Sequence, residues 1–193
     1  MLKVHQLPPF PHTSLASALR VSQRHMAVVN LRGNSQDPAF VHGVQQALGL
    51  ALPVSACTTL ANQRLRLVWV GPDDWFVLGP QGEQAALGAA LRLALGDQHA
   101  AVTDVSSGYF VVSLAGPSAR DLLAQGCPMD FHPSAFHADQ AATTHFYKVG
   151  ITLWRTAAPP NFELLVRRSF IDHFWQLVMA GSREFGITAE SGA

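Results

Sequence analysis

A chain of 193 residues has room for one hydrophobic core, in one domain or two closely joined lobes, and needs no staples to fold. Thirteen Lys and Arg balance thirteen Asp and Glu with no basic run, which argues against a nucleic-acid binder. No stretch approaches about 18 uninterrupted apolar residues, which argues against a membrane span.

Charged residues make up 13% of the chain, against a usual value of about 25%. Hydrophobic residues reach 48%. Two explanations fit this surplus: a large interface with other subunits, or simply an alanine-rich composition.

Residues 1–19 contain Pro8, Pro9 and Pro11 and no apolar signal-peptide run. They read as an extended arm laid on a partner, or as a mobile tail. Without a secretory signal, the expected location is the cytoplasm. Cys57 and Cys127 are then expected to be free, buried thiols.

Residues 26–32 read as a strand. Asp37-Pro38 places an N-cap before proline at the first helical position, and Phe40, Val44, Ala47 and Leu48 follow at helical spacing. A helix over about 38–49 ends near Gly49. Strands follow at 64–70 and 75–79. The run Trp75-Phe76-Val77-Leu78 has no polar alternation, so both faces require cover. Leu87, Leu91 and Leu95 mark a helix over about 83–95, closed by Gly96.

The order then repeats. Strands at 101–105 and 109–115 flank Ser106-Ser107-Gly108, and a helix follows at 118–125 with a capping-box pattern from Ser118 to Asp121. Residues 143–148 and 151–155 read as a hairpin, and 161–167 as a further strand. The last helix opens on Ser169-Phe-Ile-Asp172 and turns Phe170, Phe174, Trp175, Val178 and Met179 inward. The pattern is an α+β duplication built from β-α-β-β-α-type lobes, at about 20–97 and 98–186, with a tail at 187–193.

Gly-Pro occurs at each repeat in different roles. Gly71-Pro72 sits in a strand-to-strand turn, where Asp73 and Asp74 are expected to bind local backbone N–H groups. Gly116-Pro117 opens a helix.

Reaction chemistry is hard to find. Asp73-Asp74 could act as an acid–base pair, but adjacent residues rarely face one way. His132 and His137 are five apart, which is neither helical nor alternate-strand ligand spacing. Asp104 and Ser106 suggest two parts of a triad, yet no G-x-S-x-G elbow exists. Arg167-Arg168 precede the last helix and could meet an anion or pair with Asp172. Trp69, Trp75, Trp154 and Trp175 could stack a ring ligand, or anchor a core or interface. No catalytic, cofactor-binding or metal-binding residue is assigned.

The stretches VGPDDWFVLGP (70–80), VTDVSSGYFVVSLAGPSARDLLAQGCPMDFHPSAF (102–136), ITLWR (151–155) and FELLVRRSFIDHFWQLVMAGSREFG (162–186) resemble the gamma subunit of heterotetrameric sarcosine oxidase. The second stretch is the most specific, and the first 60 residues match less clearly. This family is similar in fold to the folate-binding domain of aminomethyltransferases, with two interleaved α+β lobes. The resemblance implies a non-catalytic structural subunit of an enzyme that oxidatively demethylates sarcosine to glycine. The products are hydrogen peroxide and formaldehyde or 5,10-methylenetetrahydrofolate. FAD, covalent FMN, NAD, zinc and tetrahydrofolate would lie in the alpha, beta and delta subunits, with alpha the expected partner.

The sequence departs from the family at Ser107, where His is frequent, and at Ala141, near which a Cys is frequent. The alternative reading is a stand-alone folate-binding or aminomethyltransferase-like protein of the same fold. Glu163 would then face the pterin ring and Arg167 the glutamate tail, since a spacing of four puts both on one strand face. A third reading, a nucleic-acid accessory factor, is disfavoured by zero net charge.

Overall fold

The computed structural model describes residues 18–157 and 162–191, with side chains as far as Ile187. The arm expected over 1–19 lies outside them except for Ala18 and Leu19.

The described residues form strands β1 (Leu19–Arg24), β2 (Ala27–Arg32), β3 (Thr59–Ala61), β4 (Arg66–Gly71), β5 (Asp74–Gly79), β6 (Ala101–Asp104), β7 (Tyr109–Ala115), β8 (Ala141–Phe146), β9 (Val149–Arg155), β10 (Phe162–Arg167) and β11 (Ile187–Ser191). The helices are α1 (Pro38–Leu48), α2 (Gln84–Leu95), α3 (Ala119–Gly126) and α4 (Ile171–Gly181).

One sheet runs β3-β4-β5-β2-β6 and the other β11-β1-β7-β10-β9-β8. The duplication is therefore interleaved in a definite way. The element order β-β-α-β-β-β-α occurs twice, over β1 to α2 and over β6 to α4. The first strand of each copy is exchanged: β1 pairs with β7 of the second copy, and β6 pairs with β2 of the first. Strand β11 adds to the free edge of β1 in parallel. Residues 187–191, read from sequence as a tail, thus belong to a sheet, and the 97/98 boundary separates neither sheet cleanly. Strands β1, β3 and β11 carry weak periodic signals. Leu19, Val21 and Gln23 face inward on β1, but a buried Gln among Ser and Arg dilutes the apolar alternation.

The layers follow from side-chain alternation. Helices α1 and α2 cover one outer sheet face through Phe40, Val44, Leu87 and Leu91, which meet Val29, Leu67, Trp75 and Val77. Helices α3 and α4 cover the other through Leu122, Leu123, Phe174 and Val178. Between the sheets lies a third core made of strand residues alone: Val28, Val68, Phe76, Leu78, Val111, Ala141, Trp154 and Leu165. Trp75 and Val77 face the helices while Phe76 and Leu78 face the opposite sheet. The two-sided apolar strands are thus covered within the chain and require no partner. Fully burying each such side chain contributes about 1.5–3 kcal/mol.

Several local expectations are met and others corrected. Asp37 caps α1, its Oδ1 accepting from Ala39 N at 2.9 Å, and Gly49 closes the helix in the left-handed region at φ 62°. Ser118 makes no side-chain cap bond. Ser169 lies in a 3-10 turn, Arg168–Phe170, ahead of α4, and makes no cap bond to it. The turn swings Phe170 outward to 44% exposure rather than into the core. The hairpin residues fall in β8 and β9, joined at Tyr147-Lys148.

Candidate functional site

Cross-strand register builds the one buried ionic cluster among the described residues. Glu163 on β10 lies opposite Ser113 on β7 and Trp154 on β9. All three face the space between the sheets, where Arg24 reaches in from the end of β1. The Arg24 guanidinium pairs with Glu163 Oε1 and donates to Ser113 Oγ at 2.5 Å. Ser113 Oγ lies 3.3 Å from the same carboxylate oxygen, and Trp154 Nε1 donates to Oε2 at 2.9 Å. Both carboxylate oxygens are therefore committed.

From the opposite sheet, Arg66 lies over the Trp154 ring, 5.7 Å from its centroid, and its Nη1 donates to Thr59 Oγ1 at 3.2 Å. Thr59 Oγ1 in turn donates a hydrogen bond to the Leu67 carbonyl at 2.8 Å. Burial lowers the Arg66 pKa, and the charges of Glu163 and Asp139 oppose that shift. The cluster ties the sheets together: each ion has a counter-charge or a ring, as burial requires.

The sequence-derived candidates do not converge. Asp73 Oδ2 accepts from Arg32 at 2.9 Å, and Asp74 Oδ1 accepts from Asn30 Nδ2 at 2.6 Å. The two acids thus bind β2 across the sheet, not the local backbone. Ser106 Oγ donates to Asp104 Oδ1 at 2.5 Å and accepts from Val28 N at 2.9 Å, which fastens the second copy to β2. His132 Nδ1 contacts Ser134 Oγ at 2.7 Å and His137 Nδ1 contacts the Ala138 carbonyl at 3.2 Å, both local loop contacts. Among the described residues no group of three His, Cys, Asp or Glu is placed to hold a metal.

The tryptophans stand in packed positions. Trp75 Nε1 donates to Pro53 O at 2.8 Å and Trp175 Nε1 to Gln23 Oε1 at 2.6 Å, while Trp69 packs half-buried against the helix-side core. Glu163 and Arg167 do share a strand face, but they part in environment. Glu163 is sealed in the cluster, which leaves no oxygen for a pterin. Arg167 is exposed, its guanidinium over the Tyr109 ring at 5.7 Å. Cys127 is buried, and burial pushes its thiol up to about 12. Cys57 is exposed, against expectation, because its loop bridges the sheets at the surface: the Cys57 carbonyl accepts from Ala141 N at 2.9 Å.

Hollows open on the surface along the described residues. One of about 800 Å³ is bordered by Arg32, Asp37, Asp73 and His99, with the Arg32–Asp73 pair across it. One of about 400 Å³ lies between the sheets, and one of about 770 Å³ adjoins it. Missed by sequence reasoning was the Arg24–Glu163 pair, which spans 139 residues and leaves no local motif.

The fold and the cluster define a class: a duplicated double-sheet domain whose buried polar groups hold its own layers together. A family model described as "Sarcosine oxidase, gamma subunit family" matches residues 32–184. The sarcosine oxidase subunit gamma of Corynebacterium sp. (strain P-1) is 34% identical over 141 residues, 72% of this chain and 68% of that protein. Its counterpart from Arthrobacter sp. is 32% identical over 140 residues, again 72% and 68%. A chain of the heterotetrameric sarcosine oxidase from Corynebacterium sp. U-96, solved in complex with pyrrole 2-carboxylate, superposes with a TM-score of 0.78 at 28% identity, covering 89% of this chain and 88% of that one. The aminomethyltransferase T of the glycine cleavage system from Bartonella henselae shares the fold, with a TM-score of 0.66 at 16% identity over 90% of this chain and 48% of that one. The chain belongs to the sarcosine oxidase gamma subunit family.

Proposed function

We propose that this chain is a structural, non-catalytic subunit of a heterotetrameric sarcosine oxidase. In this reading it packs on the alpha subunit, in one assembly with beta and delta subunits in the cytoplasm. Those subunits hold FAD, covalent FMN, NAD, zinc and tetrahydrofolate, and carry out the oxidative demethylation of sarcosine to glycine. The observation that carries the reading is the match to a chain of the Corynebacterium assembly over nearly the full length of both chains.

The ionic groups of this chain support the structural role. The Glu163 carboxylate is spent on Arg24, Ser113 and Trp154, and Asp104 on Ser106. No helix among the described residues is long and apolar enough to cross a membrane. The alternative, stand-alone folate binding, loses its leading ring contact because Glu163 is sealed.

The test is co-expression with the genes of the other subunits, followed by affinity purification through a tag on this chain. The reading expects co-purification at fixed stoichiometry, with sarcosine-dependent hydrogen peroxide release by the assembly and none by this chain alone. Sarcosine oxidation by the isolated chain would overturn it, as would failure to co-purify.

A further inference from the structure

We propose that the open end of the inter-sheet space is a docking groove for an acidic segment of a larger subunit, one that carries an apolar side chain to insert between the sheets. This rests on the subunit reading above.

The outer hollow of about 770 Å³ and the inner cleft of about 400 Å³ share Val105, Tyr109 and Arg167, so the groove runs from the surface inward. Its outer rim is cationic. Arg167 lies over the Tyr109 ring and Arg168 over the Phe110 ring, at 5.7 and 6.0 Å from the centroids. Neither guanidinium has an ion pair among the described residues. The acid on that rim, Asp104, is already engaged by its own loop through Ser106 N and Oγ.

A guanidinium stacked on a ring keeps its hydrogen-bonding edge free and loses less freedom when a carboxylate arrives. Two such groups side by side, with the exposed Phe170 in the same turn, have the Arg-plus-aromatic composition of interface hot spots. The inner cleft is walled by Val70, Phe76 and Leu165 beside Thr143 and Thr152, which suits an apolar anchor seated between the sheets. Its own carboxylate, Asp74, is bound by Asn30. Acidic groups therefore match the rim and an apolar group the interior, and that charge complementarity selects the occupant.

Three variants of the tagged chain, each co-expressed with the other subunits, test the groove. R167E/R168E reverses the rim. G150F plugs the inner cleft without touching a charge, since a Cβ at Gly150 meets no atom within 4 Å. R183E is an exposed control outside the groove. Retained partner is measured by purification at about 150 mM salt, with thermal midpoints of the variant chains as a folding check. We expect wild type and R183E to retain partner equally, and R167E/R168E and G150F each to lose about tenfold or more at unchanged thermal midpoint. Wild-type retention by both groove variants overturns the groove and leaves the subunit reading standing. If wild type itself retains no partner, the subunit reading falls and the groove with it. If R167E/R168E unfolds, G150F decides alone.

Discussion

Glu163 shows how a single side chain can look available from sequence and be enclosed in three dimensions. It shares a strand face with Arg167, as its spacing requires, yet its carboxylate is closed off by Arg24, Ser113 and Trp154. Glu163→Ala strands the Trp154 N–H and the partly exposed Arg24 charge. It should cost about 2–4 kcal/mol in a urea titration, and Glu163→Gln less. The two thiols give a second check. In the native chain, Ellman's reagent should label Cys57 and not Cys127, with both reacting after denaturation. The Cys127 thiol titrates at about 12 when folded and 9.0 by its ordinary value. Across that window the unfolded state releases a proton that the folded state keeps, so stability falls by about 1.4 kcal/mol per pH unit as pH rises. Below pH 9 the contribution is constant. Cys127→Ala should remove that part of the alkaline loss, read as a shallower fall in melting temperature.

At the scale of elements, the exchange of β1 and β6 leaves neither copy complete without the other. The chain should therefore melt in one transition by both circular dichroism and tryptophan fluorescence. Two transitions would mean that the copies fold apart. The Gly-Pro pair at the second repeat is the sharpest local requirement. Gly116 sits at φ +106°, and a Cβ there would come within 2.5 Å of the Ala18 carbonyl. Gly116→Ala should destabilise by about 2–4 kcal/mol by calorimetry. Much of this level was legible in the sequence. The helix of Leu87, Leu91 and Leu95 and the capped start at Asp37 carry strong periodic and capping signals, and both stand where they were expected. Strand β3 is too short to show a period, and β1 hides its pattern behind Gln23, whose burial depends on a bond to Trp175 152 residues away. Ser118 and Asp121 have a capping-box spelling, but Ser118 makes no side-chain cap bond. The candidate site was least legible, because Arg24, Ser113 and Glu163 meet only through sheet register.

For the whole molecule, the apolar surplus has an internal destination. Phe76 and Leu78 face the opposite sheet while Trp75 and Val77 face the helices, so a double-sheet sandwich with helices outside absorbs side chains that a single sheet would leave bare. The case for a partner therefore rests on membership of the sarcosine oxidase gamma family and not on unburied grease. On the proposed function, this chain supports an oxidase without making or breaking bonds. The most direct measurement is sarcosine turnover by the assembled enzyme carrying Asp73→Asn, Asp104→Asn, His132→Ala and His137→Ala, one at a time. Turnover per assembled enzyme should stay within about twofold of wild type in all four. A loss of about 100-fold in any one, with assembly intact, would contradict it.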